Sequence, residues 1–329
     1  MARWFCFLQA FLVVASLVGS APSQAQAQAQ EPYPKRPIRL LIGYAAGGAT
    51  DVVGRMLASK LDGILGQPVV VENKVGAAGM IAAVEAKRAE PDGHTLVLIA
   101  AAHTFYPLLT SKPAYDAIAD FSPISLVGIA PNVFAVSPAL PVRSLSEFIA
   151  LLKANPGKYS HGSSGPGSTS HFSSELFKQL AGVNMVHVPY RGSAVSLQDV
   201  VKGVIALHMD TYSTALELHR NGSVRILAVA SDKRDADAAD IPTAAEAGLP
   251  GMISNTYYAL LGPANLPQPI VDKLAAAVSQ IRRDEWFQGR MKQLLIATSE
   301  ATPAQTAQFM KDEMDRWRPV IEKVGLKSD

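Results

Sequence analysis

The chain reads as an α/β protein of two lobes, and three observations predict this. Short apolar runs alternate with amphipathic stretches of helical length, in two successive sets. Each set contains a Gly/Ser-rich loop between an apolar run and a helical stripe, at 43–51 and 160–171. The length of 329 residues, at about 150 per domain, suggests roughly two domains. Strands that alternate with helices imply parallel pairing, with the helices covering the sheet faces.

In the first set, 38–43 is a buried strand that ends in glycine. Residues 52–65 carry a helical stripe at 53, 56, 57, 61, 64 and 65. Residues 67–72 form the next strand and 77–88 a helix. Pro91-Asp-Gly93 is turn chemistry before a third strand at 94–100. The second set has strands at 132–137, 158–162, 185–188, 204–209 and 224–230. Helices are expected at 144–154, 170–180 and 211–218. A strand at 257–262 and two or three helices close the chain. Thr302 caps the last helix and Pro303 suits its first position. Phe309, Met310, Met314, Trp317 and Ile321 then recur at helical spacing, which is the pattern of core packing.

Composition excludes several classes. With 48% hydrophobic and 18% charged residues, the chain is not of the disordered type. The formal charge is +2 and no run of five basic residues occurs, so the clustered basic footprint of a nucleic-acid binder is missing. Arg3, the apolar stretch 4–21 and the Ala-x-Ala spacing at Ala25, Ala27 and Ala29 form a secretory signal peptide, with cleavage expected near 27–29. A membrane anchor, the rival reading, needs about 20 continuous apolar residues, and Gln9 interrupts this stretch. Cleavage removes Cys6, the only cysteine, and with it thiol catalysis, disulfides and thiolate metal sites. In a double-membraned bacterium the destination is the periplasm.

Two loops can carry chemistry. Gly43-Tyr-Ala-Ala-Gly-Gly-Ala-Thr-Asp51 joins the first strand to the first helix, where open N–H groups and the positive dipole end favour an anion. It matches neither the dinucleotide nor the P-loop fingerprint. The pattern alone leaves an anion site and a plain Gly-rich turn equally open. Ser160-His-Gly-Ser-Ser-Gly-Pro-Gly-Ser-Thr-Ser-His171 repeats the device, with caps and turns as the alternative. A nucleophile elbow around Ser164 requires glycine at 166, where Pro166 stands. The seven histidines are scattered and H-E-x-x-H is absent, so no metal site is expected. Asp210, at the end of a strand, is either a helix cap or a ligand contact. Arg191 reads first as a surface or loop-bracing residue. Two anion-type helix starts, one per lobe, can face each other across a cleft that closes by a hinge.

The chain resembles the Bug family, the extracytoplasmic solute-binding receptors of tripartite tricarboxylate transporters. The matching pieces are Tyr33-Pro-x-x-Pro-Ile-Arg-Leu40, Gly47-Gly-x-Thr-Asp51 and Leu65-Gly-Gln-Pro-Val-Val-Val-Glu-Asn73. Further on come Pro91-Asp-Gly-x-Thr-Leu96, Val186-His-Val-Pro-Tyr-x-Gly-Ser193 and Ile241-Pro-Thr-x-x-Glu-Ala-Gly-Leu-Pro250. The resemblance runs from about Tyr33 to Gly325. The first loop departs from the family's usual Pro-Phe-x-x-Gly-Gly. Glu72-Asn-Lys-Val-Gly-Ala-Ala-Gly79 departs from Glu-Asn-Arg-Pro-Gly-x-Gly-Gly.

The resemblance implies a two-lobed periplasmic binding protein, each lobe a mainly parallel sheet flanked by helices, joined by crossing hinge strands. Residues 30–130 plus 257–329 make one lobe and 131–256 the other. It implies capture of a small carboxylate: a di- or tricarboxylate, an amino acid or an aromatic acid. Its expected contacts are Tyr44, Gly47, Gly48, Ala49, Thr50, Asp51 and His103 in one lobe, and Ser164, Ser168, Thr169 and Asp210 in the other. Membrane permease subunits are the implied partners, and a monomer without cofactor or catalysis is expected. A binding protein that feeds a membrane sensor kinase and a periplasmic hydrolase are the alternatives.

Overall fold

The computed structural model describes residues 33–324. The expected signal peptide and Cys6 lie outside the described residues. In chain order the elements are β1 (Ile38–Ile42), α1 (Ala49–Leu65), β2 (Val69–Asn73), α2 (Met80–Lys87), β3 (Thr95–Ala100) and α3 (Ala102–Phe105). Then come β4 (Phe121–Val136), α4 (Leu145–Ala154), β5 (Ser160–Ser163), α5 (Thr169–Ala181), β6 (Val186–Pro189), α6 (Ser193–Val201), β7 (Leu207–Thr211) and α7 (Tyr212–Arg220). The chain closes with β8 (Arg225–Val229), β9 (Asn255–Pro263), α8 (Gln268–Arg282), α9 (Glu285–Gln293), β10 (Ala297–Thr298) and α10 (Pro303–Val324).

The strands run in the order β2-β1-β3-β9-β4-β7-β5-β6, with β8 and β10 also pairing β4. β1 is parallel to β2 and β3, and β5 is parallel to β6 and β7. The centre differs from the mainly parallel expectation. β9 is antiparallel to β3 and β4, and β4 is antiparallel to β7, β8 and β10. Parallel pairs arise where a helix carries the chain back along one face. β4 and β9 instead run through the middle as return strands.

β4 is the strand that joins the two lobes. Phe121–Pro131 pairs with β9, whereas Asn132–Val136 pairs with β7. The strand expected at 132–137 covers only the second part; Pro123, Gly128 and Pro131 disfavour a strand locally in the first. Bulges at Pro123/Ser125 and Leu126/Gly128 absorb part of that conflict. At the changeover the Asn132 amide N–H donates to the Ser254 carbonyl at 2.9 Å. Ser254 N–H in turn donates to the Ala230 carbonyl at 2.8 Å.

β1 explains the cores. Ile38, Leu40 and Ile42 face α1 and α8, where they meet Leu57, Leu61, Leu274 and Val278. Leu41 points the other way, into the core that holds Phe105, Phe172 and Trp317. From Leu40 onward the strand is covered on both faces and is apolar, whereas Arg39 near its start is part-exposed and pairs with Glu72 and Glu85. The stripe on α10 packs as expected, with Met310, Trp317 and Ile321 buried. Trp317 lies 5.1 Å from Phe105 of α3, and Phe105 lies 5.5 Å from Phe172 of α5, so this core spans both sheets. Among the described residues, no helix is long and apolar enough to cross a membrane.

Candidate functional site

The first loop turns between β1 and α1. Gly47 has φ +82°, the left-handed region that glycine enters at no steric cost. Gly48 caps α1 without a side-chain bond, so the first amides of the helix stay open. Asp51 is buried beneath the loop. Its Oδ2 accepts from the Gly47 amide and from Arg55 Nε, both at 2.9 Å, and its Oδ1 accepts from Asn73 Nδ2 at 2.8 Å. Burial by itself raises the Asp51 pKa. The bonds from Arg55, Asn73 and Gly47 outweigh it and hold the carboxyl below its ordinary value. Asn73 Nδ2 also donates to the Tyr44 carbonyl at 2.9 Å, which ties the start of the loop to its end.

The second loop is braced by hydroxyls. Ser168 caps α5, accepting from His171 N–H at 3.3 Å while its own hydroxyl donates to the Gly165 carbonyl at 2.7 Å. Ser164 N–H donates to Ser170 Oγ at 2.9 Å, and Ser164 Oγ lies 2.8 Å from Ser193 Oγ at the start of α6. The partners of the Ser164 hydroxyl among the described residues are thus Ser170 and Ser193. His187 Nε2 lies 2.7 Å from Ser163 Oγ, but Ser163 is fully buried behind the loop. His171 stacks on His187 at 3.9 Å, and burial pushes their pKa values down to about 4 and about 3.

Two further helices begin at the same place. Gly192 caps α6 with φ +144°, and Thr211 caps α7; neither bonds a helix amide through its side chain, and Thr211 Oγ1 lies instead 2.7 Å from Ser213 Oγ. Asp210 Oδ1 accepts from Thr211 N–H at 2.8 Å and its Oδ2 from Thr214 Oγ1 at 2.7 Å, with His208 Nε2 at 3.5 Å. Burial raises this carboxyl too, and the bonds from His208, Thr214 and Ser193 bring it below its ordinary value.

The four cap residues Gly48, Ser168, Gly192 and Thr211 all line one cavity of about 100 Å³. Four helix N-termini therefore converge on it, each with unpaired amides and a partial positive charge. Its charged lining residues are Arg191 and Asp210. Asp210 is saturated with donors, whereas Arg191 is exposed and has no ion pair among the described residues. The floor includes Tyr258, whose hydroxyl burial holds far above its ordinary pKa and hence neutral. Among the described residues, no group of three or more His, Cys, Asp or Glu side chains is placed to hold a metal ion.

Of the residues expected from sequence, Tyr44, Gly48, Ala49, Thr50, Ser164, Ser168, Thr169 and Asp210 line this cavity. Gly47 faces a neighbouring chamber instead. Asp51 sits under the loop. His103 is buried behind Tyr44, stacked on Tyr115 at 4.8 Å, with Nε2 at 3.1 Å from the Ala117 carbonyl. Burial pushes the His103 pKa down to about 4. Asn132, the segment Arg191–Val195, Thr214, Thr256 and Tyr258 also line the cavity and were not expected there. The Arg191 segment was legible, because Val186–Pro189 followed by Gly192-Ser193 repeats the strand–glycine–helix device a third time.

A family model described as the tripartite tricarboxylate transporter family receptor matches residues 53–326. The chain is 32% identical over 329 residues to protein BugT of Bordetella pertussis, covering 99% of each. It is similar to the periplasmic binding protein BugD, with a TM-score of 0.86 at 33% identity, covering 90% of this chain and 100% of that one. It is equally similar to MatC of Rhodopseudomonas palustris, solved with bound malate. There the TM-score is 0.84 at 33% identity, over 88% of this chain and 100% of that one.

Proposed function

The chain belongs to the tripartite tricarboxylate transporter receptor family, and we propose that it captures a small carboxylate between its lobes and delivers it to the membrane permease of such a transporter. The observation that carries this reading is the convergence of four helix N-termini on one small cavity. Fixed N–H dipoles in a low-dielectric cleft bind an anion without a dedicated counter-charge. The open amides of α1 and the hydroxyls of Thr50 and Thr169 are the donors we assign to the ligand carboxylate, while Ser168, whose hydroxyl proton goes to the Gly165 carbonyl, shapes the start of α5 beside them. Asp51 braces the loop that presents those amides, and Asp210 orients Thr211 and Thr214.

Lobe 1 comprises 30–130 with 257–329, and lobe 2 comprises 131–256. We assign the hinge to the neighbourhood of these bounds, where β4 passes from pairing with β9 to pairing with β7 and where the chain enters β9. The signal peptide delivers the protein to the periplasm, where it works as a monomer without catalysis. MatC, which holds malate, supports an organic acid as the ligand class.

A thermal-shift screen tests the reading, with protein unfolded and refolded to strip any bound molecule. The panel holds malate, other di- and tricarboxylates, amino acids, aromatic acids and neutral controls. Ligand at 100 times its Kd adds about 2.7 kcal/mol, which raises Tm by several degrees. Stabilisation confined to acids is expected. No shift with any acid overturns the proposal.

A further inference from the structure

Next to the anion cavity lies a second, larger one, of about 530 Å³. Gly48, Ala49, Ala194 and Thr214 line both, so the two are neighbours separated by no more than this thin layer of mostly small residues. The outer chamber draws Val52 and Leu294 from one lobe and Leu197, Val201 and Leu218 from the other. Val52, Leu218 and Leu294 are only half-buried, and Val201 is 37% exposed. Apolar side chains left partly wet on both walls of a cleft mark a surface that gains by being covered. The one charged lining residue, Lys202, is 64% exposed and lies 3.4 Å from Asp199, so the walls of the chamber are otherwise uncharged.

Volume decides what can sit where. A benzene ring occupies a cavity of roughly 150 Å³. The inner cavity is smaller than that and holds little more than a carboxylate with its first carbons, whereas the outer chamber is several times larger. We propose that this chamber is the subsite for the apolar body of an extended monocarboxylate, alkyl or aryl, whose carboxylate end occupies the inner cavity. This rests on the reading of the inner cavity as a carboxylate site and narrows its ligand class.

The test is calorimetric titration of the stripped full-length mature protein with straight-chain acids from propionate to octanoate, with 4-phenylbutanoate as a ring-bearing member and malate as the small-acid reference. Affinity is expected to climb about fourfold for each methylene group that enters the chamber, equivalent to about 0.8 kcal/mol. Val201→Trp and Gln198→Trp fill the chamber from exposed positions on or beside α6 that do not line the inner cavity. Both are expected to flatten the climb and leave the affinity for the shortest acids unchanged. A flat series in the unmodified protein, or a climb that survives both tryptophans, overturns the subsite. In that case binding of malate or propionate still supports the carboxylate reading. If no acid of either kind binds, both fall together.

Discussion

Asp51→Ala is the most informative single change, because Asp51 holds the first loop without lining the cavity. The substitution strands the Gly47 amide and one proton of the Asn73 amide, each now bonded to the carboxylate at 2.8–2.9 Å. A stranded buried donor costs about 1–3 kcal/mol, and the lower end applies here because Gly47 is exposed and Asn73 half-buried. The ion pair with Arg55 adds little, since the guanidinium is half exposed and its share is discounted to about 0–1 kcal/mol. The expected loss is about 2–3 kcal/mol, or roughly 3–5 °C in Tm, because an unfolding entropy of about 2.1 cal/mol/K per residue makes a chain of this size respond weakly. Differential scanning calorimetry at pH 7 reads it. Asp51→Asn should fall between, because its amide oxygen still accepts from Gly47. Calorimetric titration with the best acid should show binding weakened at least about tenfold, since the amides of α1 lose their fixed aim. The folded-state carboxyl titrates below its ordinary value, so its contribution is complete above the ordinary carboxylate range and is lost as pH falls through the depressed value. The gap in Tm between the two proteins should therefore narrow in acid. A variant with unchanged Tm and unchanged affinity would refute the argument.

Three other outcomes are expected. Thr169→Ala removes a hydroxyl that lines the cavity and makes no side-chain bond among the described residues, so affinity should fall about 10–100-fold with Tm unmoved. A lower Tm with unchanged affinity counts against its role. Arg191→Ala should slow ligand association a few-fold at low salt, with the difference fading at high salt as screening removes the long-range attraction. A salt-independent difference contradicts that account. His103 titrates near 4 when folded, against about 6.5 unfolded. The unfolded chain therefore takes up the proton first, and stability is complete above about pH 6.5 and declines toward pH 4. Between pH 6.5 and 4.5 this group alone costs about 2 kcal/mol, which His103→Gln should remove from the Tm-versus-pH curve.

The local features were legible in the sequence because their causes lie within a few residues. Gly47 and Gly48 after an apolar run, and Ser168 before a helical stripe, set turn and cap geometry by their own conformational freedom and hydrogen bonding. The apolar stripe ending at Ile321 had to be buried somewhere, whatever covered it. Tertiary structure decided matters of partnership. Pro123, Gly128 and Pro131 argue locally against a strand, yet β9 and β7 supply enough pairing to carry β4 through all three. Thr256, Tyr258 and Asn132 reach the cavity only because β9 and β4 pass through the middle of the molecule, between loops far away in the chain. Asp51 and His103 carry residue types that suit a ligand. Whether each faces the cavity or the core depends on which neighbours fold against it, and those neighbours, Asn73 for one and Tyr115 for the other, are non-local. Hydrogen-bonding groups and apolar faces are written residue by residue, but the partner that satisfies each is chosen by packing across the whole chain.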